Sequence, residues 1–266
     1  MAGTDRYQHH DYYLMDELLS EEHLLARDAV RDWVKKEVSP IIEEYTERAE
    51  CPHQLFKGLA EIGAFGPSLP VEYGGGGLDE IAYGVIMQEL ERGDSGVRSM
   101  ASVQGSLVMY PIYRYASEEQ KMKYLPKLGS GEYIGCFGLT EPDHGSNPGG
   151  MITNIKEDGD HYILNGAKMW ITNSPVADIA VVWAKDESGK IRGMVVEKGM
   201  QGFSAPEIHG KWSLRASITG ELVFDNVRVP KENLFPDVRG LKGPLSCLSK
   251  ARYGIAWGAI GAALDC

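Results

Sequence analysis

The sequence predicts an α+β chain, with an N-terminal α-helical domain, then an all-β barrel or sandwich domain, then the start of a C-terminal helical domain. Three observations lead there. Apolar residues recur at helical spacing from Ser20 to about Glu132, the period switches to strand alternation after Gly135, and helical spacing returns from about Gly243. The boundaries that follow are residues 1–135, 136–240 and 241–266, the last a single helix that opens the C-terminal helical part. At 266 residues the chain is long enough for one large domain or two moderate ones, each with a sizeable core.

The first helix begins at Ser20, a good N-cap, with Glu21 and Glu22 where carboxylates complement the helix dipole. Ala26, Ala29, Val30, Trp33 and Val34 then fall on one face, and Arg27, Asp28, Arg31, Asp32, Lys35 and Lys36 lie between them. Gly74 to Gly77 interrupt the helical half with an expected flexible loop. Ser117-Glu118-Glu119-Gln120 reads as a capping box opening a helix that runs to Leu125. In the β part, Asp158-Gly159 and Asn165-Gly166 read as hairpin turns, flanked by Tyr162 to Leu164 and Met169 to Ile171. Ile179 to Trp183 and Gly193 to Val196 form a further expected hairpin across Asp186 to Gly189. Glu221 to Phe224 and Val227 to Pro230 complete a second sheet or barrel segment. In the last helix Gly254, Gly258 and Ala262 put small residues on one face, open to close approach by another helix.

Composition narrows the function. Hydrophobic residues at 43% and charged residues at 24% are ordinary for a soluble globular protein. A formal net charge of -11 argues against nucleic acid or an anionic membrane as the main partner. No apolar run reaches the ~18 residues a membrane span needs. Cys51, Cys136, Cys247 and Cys266 lie far apart without a C-x-x-C pair, so no metal site or disulfide framework is indicated, and free thiols in a reducing compartment are expected. Met1 to Tyr7 lack the marks of a secretory or transit signal, which makes the expected location cytoplasmic. No phosphate-binding P-loop, nucleophile elbow or G-x-G-x-x-G fingerprint supports a kinase, esterase or nicotinamide enzyme.

Two runs carry the chemistry: Cys136-Phe137-Gly138-Leu139-Thr140-Glu141-Pro142 and Lys168-Met169-Trp170-Ile171-Thr172-Asn173. Each sets backbone donors, a hydroxyl and an aromatic face where the chain leaves a strand, which suits a large planar cofactor with a polar rim and a phosphate tail. As residue types alone they read equally well as ordinary strand ends, with Trp170 filling a core and Thr140 as a cap. Together with Gly145-Ser146 between them, they resemble the flavin-binding signature of the acyl-CoA dehydrogenase family, and the resemblance extends from about Tyr13 to the last residue. Within that family, Leu90 to Ser99 and Ala251 to Gly258 most resemble the glutaryl-CoA dehydrogenases.

The resemblance implies FAD as cofactor. Thr172 would bond the flavin ring near N5, with Trp170 packing beside the ring and Ile171 also contacting the cofactor. Phe137, Gly138, Leu139 and Thr140 would face its pyrimidine edge. Ser146 would reach the flavin pyrophosphate or the pantetheine arm, although Asn147 stands where the family commonly has Asp. Arg98 would hold the distal carboxylate of a glutaryl chain by a charge-assisted, bidentate contact, with Ser99 beside it. Glu91 would orient Arg98 or share a proton network with it. Leu245 and Arg252 fall in a segment lining the acyl-CoA channel, and Lys250, where the family has Asn, would contact a CoA phosphate or be solvated, the second being expected.

The implied reaction is FAD-dependent α,β-dehydrogenation of glutaryl-CoA with decarboxylation to crotonyl-CoA and CO2. Electrons would pass to an electron-transferring flavoprotein, and the full-length protein would be a homotetramer. The family's catalytic Glu lies in the C-terminal domain, so the general base is expected beyond Cys266, and the Gly/Ala face of the last helix is expected to lack its partner. Two alternatives stay open: a dehydrogenase or oxidase for another acyl-CoA, and a noncatalytic flavin or acyl-CoA-binding fragment.

Overall fold

A computed structural model describes residues 11–266; the segment Met1 to Tyr7, read above for targeting signals, lies outside them. Helix α1 (Glu21–Trp33) opens with a reciprocal cap in which Ser20 Oγ accepts from the His23 amide at 3.3 Å and His23 Nδ1 accepts from the Ser20 amide at 3.1 Å. Val30 and Val34 are buried and Ala29 is exposed, so the apolar stripe is narrower than its spacing suggested. After a π-helical turn (Val34–Val38) come α2 (Ile42–Arg48) and α3 (Leu55–Glu61).

The Gly74 to Gly77 loop is tightly held, contrary to expectation. The amides of Gly75, Gly76 and Gly77 donate to the carbonyls of Pro70, Gly66 and Leu69, and a Cβ at Gly75 would stand 2.1 Å from the Leu69 oxygen. Glycine is there because two backbone segments touch.

Helix α4 (Glu80–Gly93) is capped by Asp79, and α5 (Ser95–Ser102) by Asp94. A second π-helical stretch (Val103–Met109) leads into α6 (Tyr110–Tyr115), and α7 (Glu118–Gly129) follows the Ser117/Gln120 capping box, continuing beyond Leu125.

The strands are β1 (Gly135–Gly138), β2 (Asn154–Asp158), β3 (His161–Thr172), β4 (Ile179–Lys185), β5 (Ile191–Glu197), β6 (Phe203–Ser204) and β7 (Thr219–Pro230). They form one curled sheet of seven strands in the order β1-β4-β2-β3-β7-β6, with β5 on β4. Asp158-Gly159 turns the β2/β3 hairpin and Asp186 to Gly189 turns β4/β5, as their sequences indicate. Asn165-Gly166 does not turn. It is a bulge inside β3, with Gly166 at φ 138° because a Cβ would strike Thr153. The two expected segments from Glu221 to Pro230 are likewise one strand, bent where Asn226 takes φ 52° and its amide donates to Asn165 Oδ1 at 2.9 Å.

Alternation along β4 divides the sheet between two cores. Val181 and Trp183 face the helices, while Ala180, Val182 and Ala184 pack inside the curl with Leu164, Leu222 and Val227. The final helix α8 (Lys242–Asp265) lies against α4. Its small face is therefore already partnered, and that expectation is corrected. Gly254 receives the Tyr83 hydroxyl, Gly258 receives Glu91, and a Cβ at Gly261 would lie 1.9 Å from the Gln88 carbonyl oxygen. No helix among the described residues is long and apolar enough to cross a membrane, and the four cysteines are unpaired.

Candidate active site

The two chemistry-bearing runs meet through a buried ion pair that sequence reasoning missed. Lys168 is an inward-facing residue of β3, fully buried, and its Nζ donates to Glu141 Oε1 at 2.9 Å and to the Leu139 carbonyl at 3.2 Å. Glu141 also accepts the amides of Ile152 at 2.7 Å and Thr153 at 3.0 Å. Burial pushes the Lys168 ammonium down to about 8 against the pull of Glu141. Burial acts on Glu141 in the opposite sense, but the Ile152 amide, Thr153 and Lys168 outweigh it and hold the carboxyl below its usual range. The sequence signal was there: a Lys four residues from buried Leu164 on the strand's inner face demands a partner.

One residue further, the Met169 amide donates to the Thr140 carbonyl at 2.9 Å, and the pairing of β3 with β7 slips between Lys168 and Ile171. Trp170 sits in that bulge at φ 63°, a conformation costly for a bulky side chain, and remains 58% exposed. The bulge turns the indole out over the sheet end rather than into a core. Thr172 follows on the last residue of β3, and Asn173, at φ 69°, ends the strand with its amide on the Ile218 carbonyl.

These features open onto a cleft of 330 Å³ between the sheet end, the π-helical stretch and α8. Phe137, Leu139, Thr140, Ser146, Trp170, Ile171 and Thr172 line it from the β side. Leu245, Leu248 and Arg252 line it from α8, and Val103 and Leu107, which sequence reasoning did not single out, line it from the π-helical stretch. Gly138 stands behind the wall, where a Cβ would meet Leu222 and the Lys168 stem. The hydroxyls of Thr140, Ser146 and Thr172 have no hydrogen-bond partner among the described residues; Thr140 and Thr172 are partly buried and Ser146 is exposed. No carboxylate is among the lining residues.

Glu91, Arg98 and Ser99 are not on the cleft wall. Arg98 Nε donates to Glu91 Oε2 beneath α8, and the two side chains are 11% and 10% exposed. Ser99 lies one turn before the cleft-lining Val103 on a continuous helical run, and Arg98 is its neighbour in sequence. Lys250, expected in solvent, is paired with Glu80 and with Ser68 Oγ at 3.0 Å, above the ring of Tyr83.

A family profile for the acyl-CoA dehydrogenase N-terminal domain matches residues 20–132, and one for the middle domain matches residues 136–227. The chain belongs to the acyl-CoA dehydrogenase family. Its fold is similar to a glutaryl-CoA dehydrogenase from Mycobacterium smegmatis solved in complex with FADH2, at TM-score 0.93 and 51% identity over 95% of this chain and 65% of that one. It is also similar to butyryl-CoA dehydrogenase from Megasphaera elsdenii, at TM-score 0.87 and 33% identity over 91% of this chain and 66% of that one. A short-chain-specific acyl-CoA dehydrogenase of Clostridium acetobutylicum is 39% identical over 256 residues, covering 94% of this chain and 67% of that protein. The chain thus spans about 65% of the length of the solved relatives in this family.

Proposed function

We propose that this chain carries the FAD seat and the acyl-chain anchor of a dehydrogenase acting on glutaryl-CoA. The observation that carries the substrate is Arg98. Glu91 engages only its Nε, and its two terminal nitrogens have no acceptor among the described residues and are not sealed from solvent. That leaves a planar fork free for a bidentate carboxylate, on the helical turn that precedes the cleft-lining Val103. A purely aliphatic acyl chain would leave the same fork unpaired on a side chain that is mostly buried.

The residues present fit a flavin. Three unpartnered hydroxyls interleaved with the apolar side chains of Phe137, Leu139 and Ile171, and an indole turned outward by a strained bulge, match a planar ring with a polar rim. Thr172 and Thr140 would bond the ring, Phe137, Leu139, Trp170 and Ile171 would flank it, Gly138 would set the wall's depth, and Ser146 would hold the phosphate or pantetheine portion. When bound, FAD supplies the hydride acceptor for α,β-dehydrogenation. Leu245 and Arg252 would guide the thioester arm, and Arg98 with Ser99 would fix the far carboxylate, so that the reacting carbons stand in the cleft.

No carboxylate lines the cleft, and Glu141 and Glu91 are committed elsewhere, to Lys168 and to Arg98. The general base is accordingly assigned to residues outside the 266, as are further contacts to the cofactor and those of a homotetramer. Loss of the distal carboxylate as CO2, electron delivery to an electron-transferring flavoprotein, and a cytoplasmic location, in keeping with the unpaired cysteines, complete the reading.

The test is the visible spectrum of the FAD-loaded protein before and after anaerobic addition of glutaryl-CoA. A shifted but unbleached flavin band is expected. Bleaching would put a base among the described residues and overturn that part. A band that does not respond would overturn the acyl-CoA site.

A further inference from the structure

We propose that Ser95 and Gly258 are positioning residues that aim the Arg98 fork by fixing the Glu91 carboxylate; this rests on the reading of Arg98 as the acyl-chain anchor. Glu91 and Arg98 are seven residues apart, which on an unbroken helix is about 10 Å along the axis. Here the helix is broken. Gly93 ends α4, Asp94 is extended, and the Asp94 carboxylate caps α5 through the amides of Gly96 at 2.7 Å and Val97 at 3.0 Å. The break brings the last turn of α4 and the first turn of α5 into side-chain contact.

Glu91 is held at both oxygens. Oε1 accepts from the Ser95 hydroxyl at 2.5 Å, and Oε2 accepts from Arg98 Nε. Gly258 on α8 closes over the second oxygen, because a Cβ at that position would lie 2.9 Å from Glu91 Oε2 and 3.4 Å from Glu91 Cβ. Any side chain there would push the carboxylate off its present line. The Ser95 bond fixes the rotation of the carboxylate so that only Oε2 reaches Arg98, and the contact is limited to Nε. Without the Ser95 hydroxyl, both oxygens of Glu91 are free to take the guanidinium side-on, which would occupy the fork that the substrate carboxylate needs. Ser95 therefore keeps Glu91 from competing with the ligand, and Gly258 supplies the room in which that geometry fits.

The test uses FAD-loaded protein and the flavin difference spectrum on titration with glutaryl-CoA and with butyryl-CoA, read as the ratio of the two affinities. Ser95→Ala is expected to lower the glutaryl/butyryl ratio about ten-fold, the loss of roughly one charge-assisted contact, with Ser95→Thr restoring it. Gly258→Ala is expected to lower it in the same sense. A merely structural role would weaken both ligands together, and that result overturns the proposal. Arg98→Met separates the two levels of argument. If it abolishes the ratio while Ser95→Ala and Gly258→Ala keep it, the positioning role is wrong and the anchor stands. If Arg98→Met leaves the ratio intact, the anchor itself is wrong and the positioning role falls with it.

Discussion

Lys168 shows how much of this site is held from behind. A fully buried ammonium is tolerable only beside Glu141, and the same carboxylate ties down the amides of Ile152 and Thr153. Lys168→Met leaves that carboxylate buried without its cation, and a loss of about 3–5 kcal/mol in urea unfolding is expected. The pair also gives the fold an acid limit. Because the Glu141 carboxyl is held below its ordinary value in the folded chain, its contribution is present above that value and is lost as pH falls through the folded one. Glu141→Gln should therefore flatten the acid limb of a stability-versus-pH curve below about pH 4.5. Trp170 carries the opposite kind of cost. Its φ of 63° with an exposed indole predicts that Trp170→Gly changes stability little, with a gain on the order of 0.5 kcal/mol, while flavin affinity drops. Thermal melts of the flavin-free protein and a flavin titration check the two halves separately.

Among the elements, the α4/α8 contact fixes the distance between the proposed acyl-chain anchor and the cleft. Gly84, Gly254, Gly258 and Gly261 let the two helices approach so closely that Trp257 fills the space over Gly84. Gly261→Ala forces a methyl into the Gln88 backbone and is expected to cost on the order of 3 kcal/mol. Gly159→Ala, at φ 60° in an open hairpin turn with nothing within 4 Å, should cost only about 1 kcal/mol. Side-by-side denaturation of the two variants tells packing from backbone strain. The pattern Gly254, Gly258 was readable as a close-approach face, but its partner was not, because no local rule says which earlier helix will fold back against it. The caps at Ser20 and Ser117 and the Asp158-Gly159 turn are local chemistry and were legible. Asn165-Gly166 carries the same turn signal, yet β3 continues through it as a bulge, since pairing along both neighbours outweighs a dipeptide preference.

Across the whole molecule, the helical layer and the curled sheet meet at one cleft, and most of its β-side lining was legible from the two strand-end runs. The α-side lining was less so, because Val103 and Leu107 look like ordinary core residues until the π-helical stretch and α8 are set side by side. Arg98 and Glu91 were legible as a pair, but their place beside the cleft instead of on its wall depends on the break at Asp94. The central claim is that the ends of β1 and β3 form a flavin seat. Its most direct test is fluorescence quenching of FAD titrated into the purified protein and into Thr172→Val. Saturable quenching, with affinity lowered about ten-fold by loss of the hydroxyl, is the expected result; FAD fluorescence left unquenched by the unmodified protein, or an affinity indifferent to Thr172, would contradict it.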